Sequence, residues 1–477
     1  MAESLKQKTV SGVIWSSVER FSVAGLQFVI MIVMARMLTP EDYGLVAMLQ
    51  IFIAVSQSLI DSGFSQALIR KLDRGQRDYS TVFYFNVVVG LVLYGVLFVA
   101  APWIARFYEV PELVDITRVM AIGLALNSFT VVQRAILTIR IDFKTQAKAT
   151  VTAAIVSGVV GIGMAYGGCG VWSIVAQQVS NLAVNALILW VVSRWRPSWC
   201  YSWTSFRELF GFGSKLMLSG LLDTLWRNVY LIVIGKVFSK ADLGYYTRAQ
   251  QFADFPSSML TGVFQRVTYP VLCNLQEDNE RLAVNYRRLL RVVAYIIFPL
   301  MVGLAAVSTP LVLVLLKEQW LFTADLLKVI CVAAMFYPVH ALNLNLLQVK
   351  GRSDLFLRLE VFKKLVGVGI LLMTLPMGLM MMCVGQIFSS IICLAINTYY
   401  TGRLIRVGFV RQMADLSPTL LLTFVMGGGV YLLTTLFANV YVQLGVGIVA
   451  GVVFYTGGSY LFRFPEMREL VSIIRKK

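Results

Sequence analysis

Fourteen stretches of helix length and high apolarity follow one another along this chain, and that succession limits what it can fold into more than any other feature. A helix crossing hydrocarbon needs about 20 mostly apolar residues. Windows of that kind fall at 12–37, 45–68, 80–104, 114–138, 149–167, 171–193, 209–237, 245–271, 289–316, 324–347, 356–376, 380–401, 417–437 and 442–462. Of 477 residues, 58% are hydrophobic and 14% charged, and the mean hydropathy is +0.74, which excludes a water-soluble globular domain. In lipid each backbone polar group must be satisfied within its own segment, so the expected class is all-α: a polytopic membrane protein of about 14 transmembrane helices. The windows at 209–237 and 245–271 are the least apolar, because both carry internal charges.

Sidedness follows from the basic residues. With the N-terminus inside, alternate inner connections collect 29 Lys and Arg, whereas the outer ones hold four, Arg106, Lys236, Lys240 and Lys317. Dropping one middle window would destroy that split, so both weak windows are retained and both termini are expected in the cytoplasm. The formal charge of +17 is then a property of short inner loops and not the mark of a nucleic-acid binder. The opening MAESLKQKTV lacks a short apolar core with a small-residue cleavage site and is read as a cytoplasmic lead into the first helix. Six cysteines without C-x-x-C spacing are read as small packing residues.

Residues 29–52 align without gaps onto 229–252 with seven identities, among them Asp42/Asp242, Gly44/Gly244 and Gln50/Gln250. Both copies begin on the cytoplasmic side. The repeat therefore predicts two parallel six-helix lobes, 1–200 and 201–412, an extra helix pair at 413–463 and a basic cytoplasmic tail at 464–477. Parallel repeats of this kind are transporter architecture, with substrate expected near the midplane between lobes.

The outer connections, such as LTPEDYG and SKADLG, are too short to shelter a catalytic apparatus. No G-x-x-x-x-G-K-[ST], H-E-x-x-H or G-x-S-x-G occurs, and the single histidine, His340, cannot build a multi-histidine metal site. Neither an enzyme nor a cofactor or metal is expected.

Of the 42 Lys and Arg, nine remain once the 29 assigned to inner and the four assigned to outer connections are subtracted: Arg20, Arg36, Arg118, Arg134, Lys215, Arg227, Arg248, Arg266 and Lys328. A cation in hydrocarbon costs several kcal/mol unless it meets protein, water or an anion. Arg36, Arg118, Arg248, Lys328 and Arg266 are near enough to an interface to snorkel; Arg20, Arg134, Lys215 and Arg227 are deeper. The acids in the same zones are Glu19, Asp61, Asp223 and Asp254. Asp223 and Arg227 stand four residues apart, so an intrahelical ion pair competes with a ligand role for both. Amides such as Gln133, Asn181 and Asn343 suit sugar hydroxyls, but equally bond helix to helix. The candidate substrate-binding set is Arg20, Arg134, Lys215, Arg227, Arg248 and Arg266. Asp61, Asp223 and Asp254 are candidates for ion coupling or for re-pairing those cations, and the surplus of bases points to an anionic cargo.

Ala35–Gly44 (A-R-x-L-T-P-x-D-Y-G), Asp61–Ile69 (D-S-G-F-S-Q-A-L-I) and Ser239–Gln250 (S-K-A-D-L-G-Y-Y-x-R-A-Q) resemble the prokaryotic polysaccharide transporter family of the MOP exporter superfamily, Wzx-type flippases of the colanic-acid-like branch. The resemblance implies a flippase that moves an undecaprenyl-pyrophosphate-linked oligosaccharide across a bacterial inner membrane by alternating access, two lobes rocking about a cationic cavity. It implies exopolysaccharide, capsule or O-antigen biosynthesis, with a polysaccharide polymerase and chain-length machinery as partners and no nucleic acid. It also places Arg20 where relatives carry a cavity arginine. The alternative inside the superfamily is a multidrug cation antiporter, which would need unpaired carboxylates; outside it, a glycan-processing membrane enzyme.

Overall fold

The computed structural model describes residues 2–61 and 63–469, with side chains described throughout except at 2–14, 16–18, 20, 212, 215, 216, 263, 266, 267, 353 and 357. The described residues are helical and contain no β-strand. The first helices are α1 (Ala2–Ala35), α2 (Pro40–Asp61), α3 (Phe64–Arg70), α4 (Gln76–Tyr108), α5 (Leu113–Ser128), α6 (Val131–Ile139), α7 (Phe143–Tyr166), α8 (Val171–Ser193) and α9 (Trp203–Val237). They are followed by α10 (Lys240–Cys273), α11 (Asn279–Ala306), α12 (Ser308–Leu316), α13 (Leu321–Ala334), α14 (Tyr337–Val349), α15 (Ser353–Thr374), α16 (Leu379–Ile405), α17 (Phe409–Thr435) and α18 (Val440–Leu461). Every expected window falls on one helix or on two consecutive ones. Eleven helical stretches among the described residues have the length and apolarity of a membrane span; those on α1, α10 and α15 are outside that group.

Local chemistry sets the ends. Side chains of Asp142, Ser202, Asp278 and Asn439 accept backbone N–H bonds at the starts of α7, α9, α11 and α18, satisfying donors that hydrocarbon would strand. Gly63, at φ 68°, turns the chain between α2 and α3. Pro338 lies in the first turn of α14, where its missing N–H costs nothing, whereas Pro256, Pro270 and Pro299 sit inside helices. All six cysteines are free thiols.

Two compact units divide the chain, Met1–Gly244 and Tyr245–Lys477. In the first, α7 packs on α1 and α8, α4 on α5, and α9 on α2, α3 and α4. Aromatic rings of Phe64, Phe85, Phe206 and Phe210 fill the seam where α3, α4 and α9 meet. Beside them Lys71 pairs with Glu208 at 2.8 Å and Asp78 at 3.1 Å, and its bond to Glu208 raises the ammonium above its usual range. In the second unit α11 packs on α13 and α17, α15 on α16, and α17 on α18.

The sequence repeat has a geometric counterpart inside the first unit. At the start of α2 the Thr39 N–H and hydroxyl donate to Asp42 Oδ2 at 2.9 and 2.8 Å, and the Asp42 N–H donates back to Thr39 Oγ1 at 3.3 Å. At the start of α10 Ser239 and Asp242 make the same three bonds, at 3.2, 2.8 and 3.1 Å. These are reciprocal N-terminal caps. They aim two helix starts at each other, and the glycines one turn on let them touch. A Cβ on Gly44 would lie 1.8 Å from the Lys240 carbonyl oxygen, and one on Gly244 would lie 1.9 Å from that of Pro40. Around the crossing, Lys240 reaches Glu41 at 3.4 Å and Glu112 at 3.8 Å, and Lys236 pairs with Glu109 at 2.8 Å. The Lys236 bond holds the Glu109 carboxyl below the usual carboxylate range.

Because the obstacle at either glycine is backbone, it cannot rotate away. Gly44→Ala and Gly244→Ala are each expected to cost about 1–3 kcal/mol through forced backbone shifts. Melting of the purified protein in detergent checks this: both variants melt several degrees lower, while Gly95→Ala, with nothing within 4 Å of its Cβ position, melts as the parent does. Parent-like melting in all three would mean that the helices do not cross this closely.

Candidate functional site

Two of the expected spans, the fourth and the tenth in chain order, are broken near their middles. The window at 114–138 stops at Ser128 and resumes at Val131; that at 324–347 stops at Ala334 and resumes at Tyr337. A break inside hydrocarbon frees carbonyls, which neighbours must then satisfy. In the first unit Trp190 Nε1 donates to Phe129 O at 2.9 Å and Thr130 Oγ1 to Asn127 O at 2.8 Å. In the second, Ser257 Oγ donates to Ala334 O at 3.1 Å and Ser390 Oγ to Ala333 O at 3.3 Å. Paired interruptions in the two halves of a transporter mark where substrate groups are handled. Arg134 sits one turn past the first break, and His340, Asn343 and Asn345 follow the second.

Arg134, on α6, is half-buried, and Asp61 and Glu19 are the acids within electrostatic reach of it. Glu19 is itself tied to α7, accepting from Thr150 Oγ1 at 2.8 Å. Asp61, at the end of α2, is exposed. Two carboxylates from other helices thus lie within electrostatic reach of the guanidinium, and one of them is anchored to α7. The neighbouring Gln133 is fully buried, and its amide makes no hydrogen bond among the described residues.

Arg227 lies on α9, ten residues or about 15 Å from the helix end. Its Nε donates to Asp223 Oδ2 at 2.8 Å, so the i,i+4 pair forms. Both side chains are open, however, at 70% and 55% exposure, and a pair so placed contributes little to stability, of the order of 0–1 kcal/mol. A structural need does not account for these charges in an apolar helix. The side chains of Arg20, Lys215 and Arg266, the remaining members of the expected set with Arg248, lie outside the described ones.

In the second unit Arg248 is half-buried and donates to Gln251 Oε1 at 2.6 Å, while Asp254 is exposed and accepts from Gln250 Nε2 at 2.9 Å. Arg118 and Lys328, near the interfaces, take local acids: Asp115 at 4.0 Å and Asp325 at 2.9 Å.

Several expected polar residues hold helices together. Asn181 Nδ2 donates to Ser157 Oγ at 3.0 Å. Asn343 and Gln412 exchange two amide bonds of 3.0 Å, and Thr401 Oγ1 adds a third contact at 2.7 Å to Asn343 Oδ1. His340 is held at both nitrogens: the Asn397 amide lies 3.1 Å from Nδ1 and Ser390 Oγ lies 3.1 Å from Nε2. With the Asn397 N–H donating, the histidine is assigned as the neutral Nε2–H tautomer and serves as a bridge between helices.

A second cluster is built by tertiary packing. Arg287, Arg288 and Arg291 stand on the first half of α11. Arg287 grips the buried Asp415 of α17 in a two-pronged contact of 2.6 and 2.7 Å, and Arg291 reaches the buried Glu466 at 3.1 Å. This fork is strong and directional, and it fastens the last helices to α11. The four-residue spacing of Arg287 and Arg291, with Asp415 and Glu466 at helix ends downstream, is the signal in the sequence.

Residues 33–325 match the family described as "Polysaccharide biosynthesis protein". The chain is 26% identical to the teichuronic acid biosynthesis protein TuaB of Bacillus subtilis over 74% of its own length and 73% of that protein. It is also 26% identical to the lipopolysaccharide biosynthesis protein WzxC of Escherichia coli, over 76% of its own length and 74% of that protein. Among solved structures, the lipid II flippase MurJ in an inward closed conformation superposes with a TM-score of 0.77 at 14% identity, covering 97% of this chain and 100% of that one. That likeness is one of fold. The chain belongs to the polysaccharide biosynthesis protein family, in agreement with the resemblance carried by its motifs, and is a multi-pass all-α membrane protein.

Proposed function

We propose that the protein is a flippase that carries an undecaprenyl-pyrophosphate-linked oligosaccharide from the inner to the outer leaflet of a bacterial cytoplasmic membrane, by alternating access, for surface polysaccharide assembly. A diphosphate and a glycan do not cross about 30 Å of hydrocarbon unaided, whereas the prenyl tail needs no shelter from it. The headgroup requires cations in the span, and guanidinium groups match phosphate oxygens in paired hydrogen bonds. The observation that carries the reading is Arg227: a mid-span guanidinium, largely exposed, in a member of a polysaccharide biosynthesis family.

In this reading Arg20, Arg134, Lys215 and Arg227 receive the diphosphate, with Arg248 and Arg266 toward the two ends of the path. Asp61 beside Arg134 and Asp223 beside Arg227 supply the return step: once cargo leaves, each carboxylate re-pairs its cation, so binding need not be tight. Asp254 is a further acid of this kind. The lobes 1–200 and 201–412, the extra pair 413–463 and the cytoplasmic placement of both termini and of the tail 464–477 belong to the same proposal. The polymerase and chain-length machinery are its partners.

Arg20→Ala, Arg134→Ala and Arg227→Ala are expected to abolish surface polysaccharide while the protein remains in the membrane at normal level. The Asp223→Arg, Arg227→Asp double exchange separates the two roles of that pair. It stays inactive if Arg227 binds cargo; export restored by the exchange would make the pair structural. For orientation, Arg74→Cys and Glu112→Cys in a cysteine-free background are expected to react with an impermeant maleimide from opposite sides of the membrane. Arg74→Cys is expected to be shielded from outside and Glu112→Cys to react there; labelling of Arg74→Cys from outside would overturn the assignment of the termini.

A further inference from the structure

In the second unit, α15 and α16 line a groove of about 620 Å³. Leu359, Phe362, Ile392 and Ile396 line its apolar length, and Arg358 and Tyr399 stand toward one end. That end is common to both helices. Arg358 lies five residues, about 8 Å, from the start of α15, and Tyr399 lies six residues from the end of α16. One turn beyond, the Arg403 guanidinium stacks on the Tyr399 ring at 4.7 Å from its centroid.

The charge balance at this end is one-sided. Helix α16 contains no acid, and α15 contains two, Asp354 and Glu360. Asp354 is held by Arg352 in two bonds of 2.9 Å, which bring its carboxyl down to about 2, and Glu360 is paired with Lys363. Among the described residues neither Arg358 nor Arg403 has a carboxylate partner. Two cations are thus left at the mouth of an apolar slot whose other wall residues Phe362 and Ile392 are open to the surroundings, at 53% and 42% exposure.

We infer that this groove is a binding site for an anionic phospholipid, with one acyl chain between α15 and α16 and the phosphate against Arg358 and Arg403. The shape is that of an amphiphile: an apolar body with cations at the membrane interface, where a phosphate group lies. The assignment does not depend on the flippase reading, since either end of a spanning helix pair meets headgroups.

The test is photolabelling of the full-length protein in nanodiscs with diazirine-tailed phosphatidylglycerol, phosphatidylcholine or a polyprenyl phosphate, followed by mapping of labelled peptides. Phosphatidylglycerol is expected to label 359–365 and 392–396 more than phosphatidylcholine does, by about five-fold per arginine. Arg358→Ala with Arg403→Ala removes that preference, and the paired lysine variants keep most of it. Equal labelling by both diacyl lipids, a preference indifferent to the arginines, or labelling by the polyprenyl probe alone would each overturn the site. None of these readouts involves transport, so a failure here and a failure of the flippase reading are separable.

Discussion

Hydrocarbon is the solvent against which this chain is built, and its refusal of unpaired polar groups orders the rest. Backbone groups close on themselves in helices, and where a span breaks, at 129–130 and 335–336, side chains of Trp190, Thr130, Ser257 and Ser390 take over the freed carbonyls. Charges face the same rule. Arg287 and Arg291 satisfy it with buried acids, Lys328 with an acid on its own helix, and Arg227 with Asp223 while remaining open. Arg227 is the most exposed of these, and an incoming anion meets it without first prying apart a buried pair.

Much of the architecture was legible because hydropathy and repetition are strong signals. The fourteen windows found helices in every case, since apolar runs of that length have no other low-energy state in a bilayer. The seven identities of the repeat were a weak match by number, but two carried geometry: Asp42 and Asp242 cap α2 and α10, and Gly44 and Gly244 let those helix starts meet backbone to backbone. A motif preserved across two halves for that reason cannot tolerate a Cβ at either glycine.

The charged chemistry was less legible. Linear spacing anticipated the Asp223–Arg227 pair, because four residues on a helix fix proximity. It gave no sign that Glu19 and Asp61, on two other helices, come within electrostatic reach of Arg134, or that Asp415 and Glu466 capture Arg287 and Arg291. Those contacts are set by tertiary packing. The mid-span breaks were likewise hidden, since 114–138 and 324–347 read as continuous apolar windows. Among the alternatives, a multidrug cation antiporter would need carboxylates left free for a cationic ligand; Asp223 instead carries its own arginine and Asp61 lies beside another.

The claim at the centre of this account is that the mid-membrane arginines recognise the diphosphate of the cargo. Its most direct measurement is transbilayer movement in proteoliposomes of two glycolipids with the same oligosaccharide and the same prenyl chain, one joined by pyrophosphate and the other by a neutral linker. Rapid movement of the pyrophosphate-linked lipid alone is the result the account predicts. Equal movement of both would show that the cations do not read the phosphate, and would contradict it.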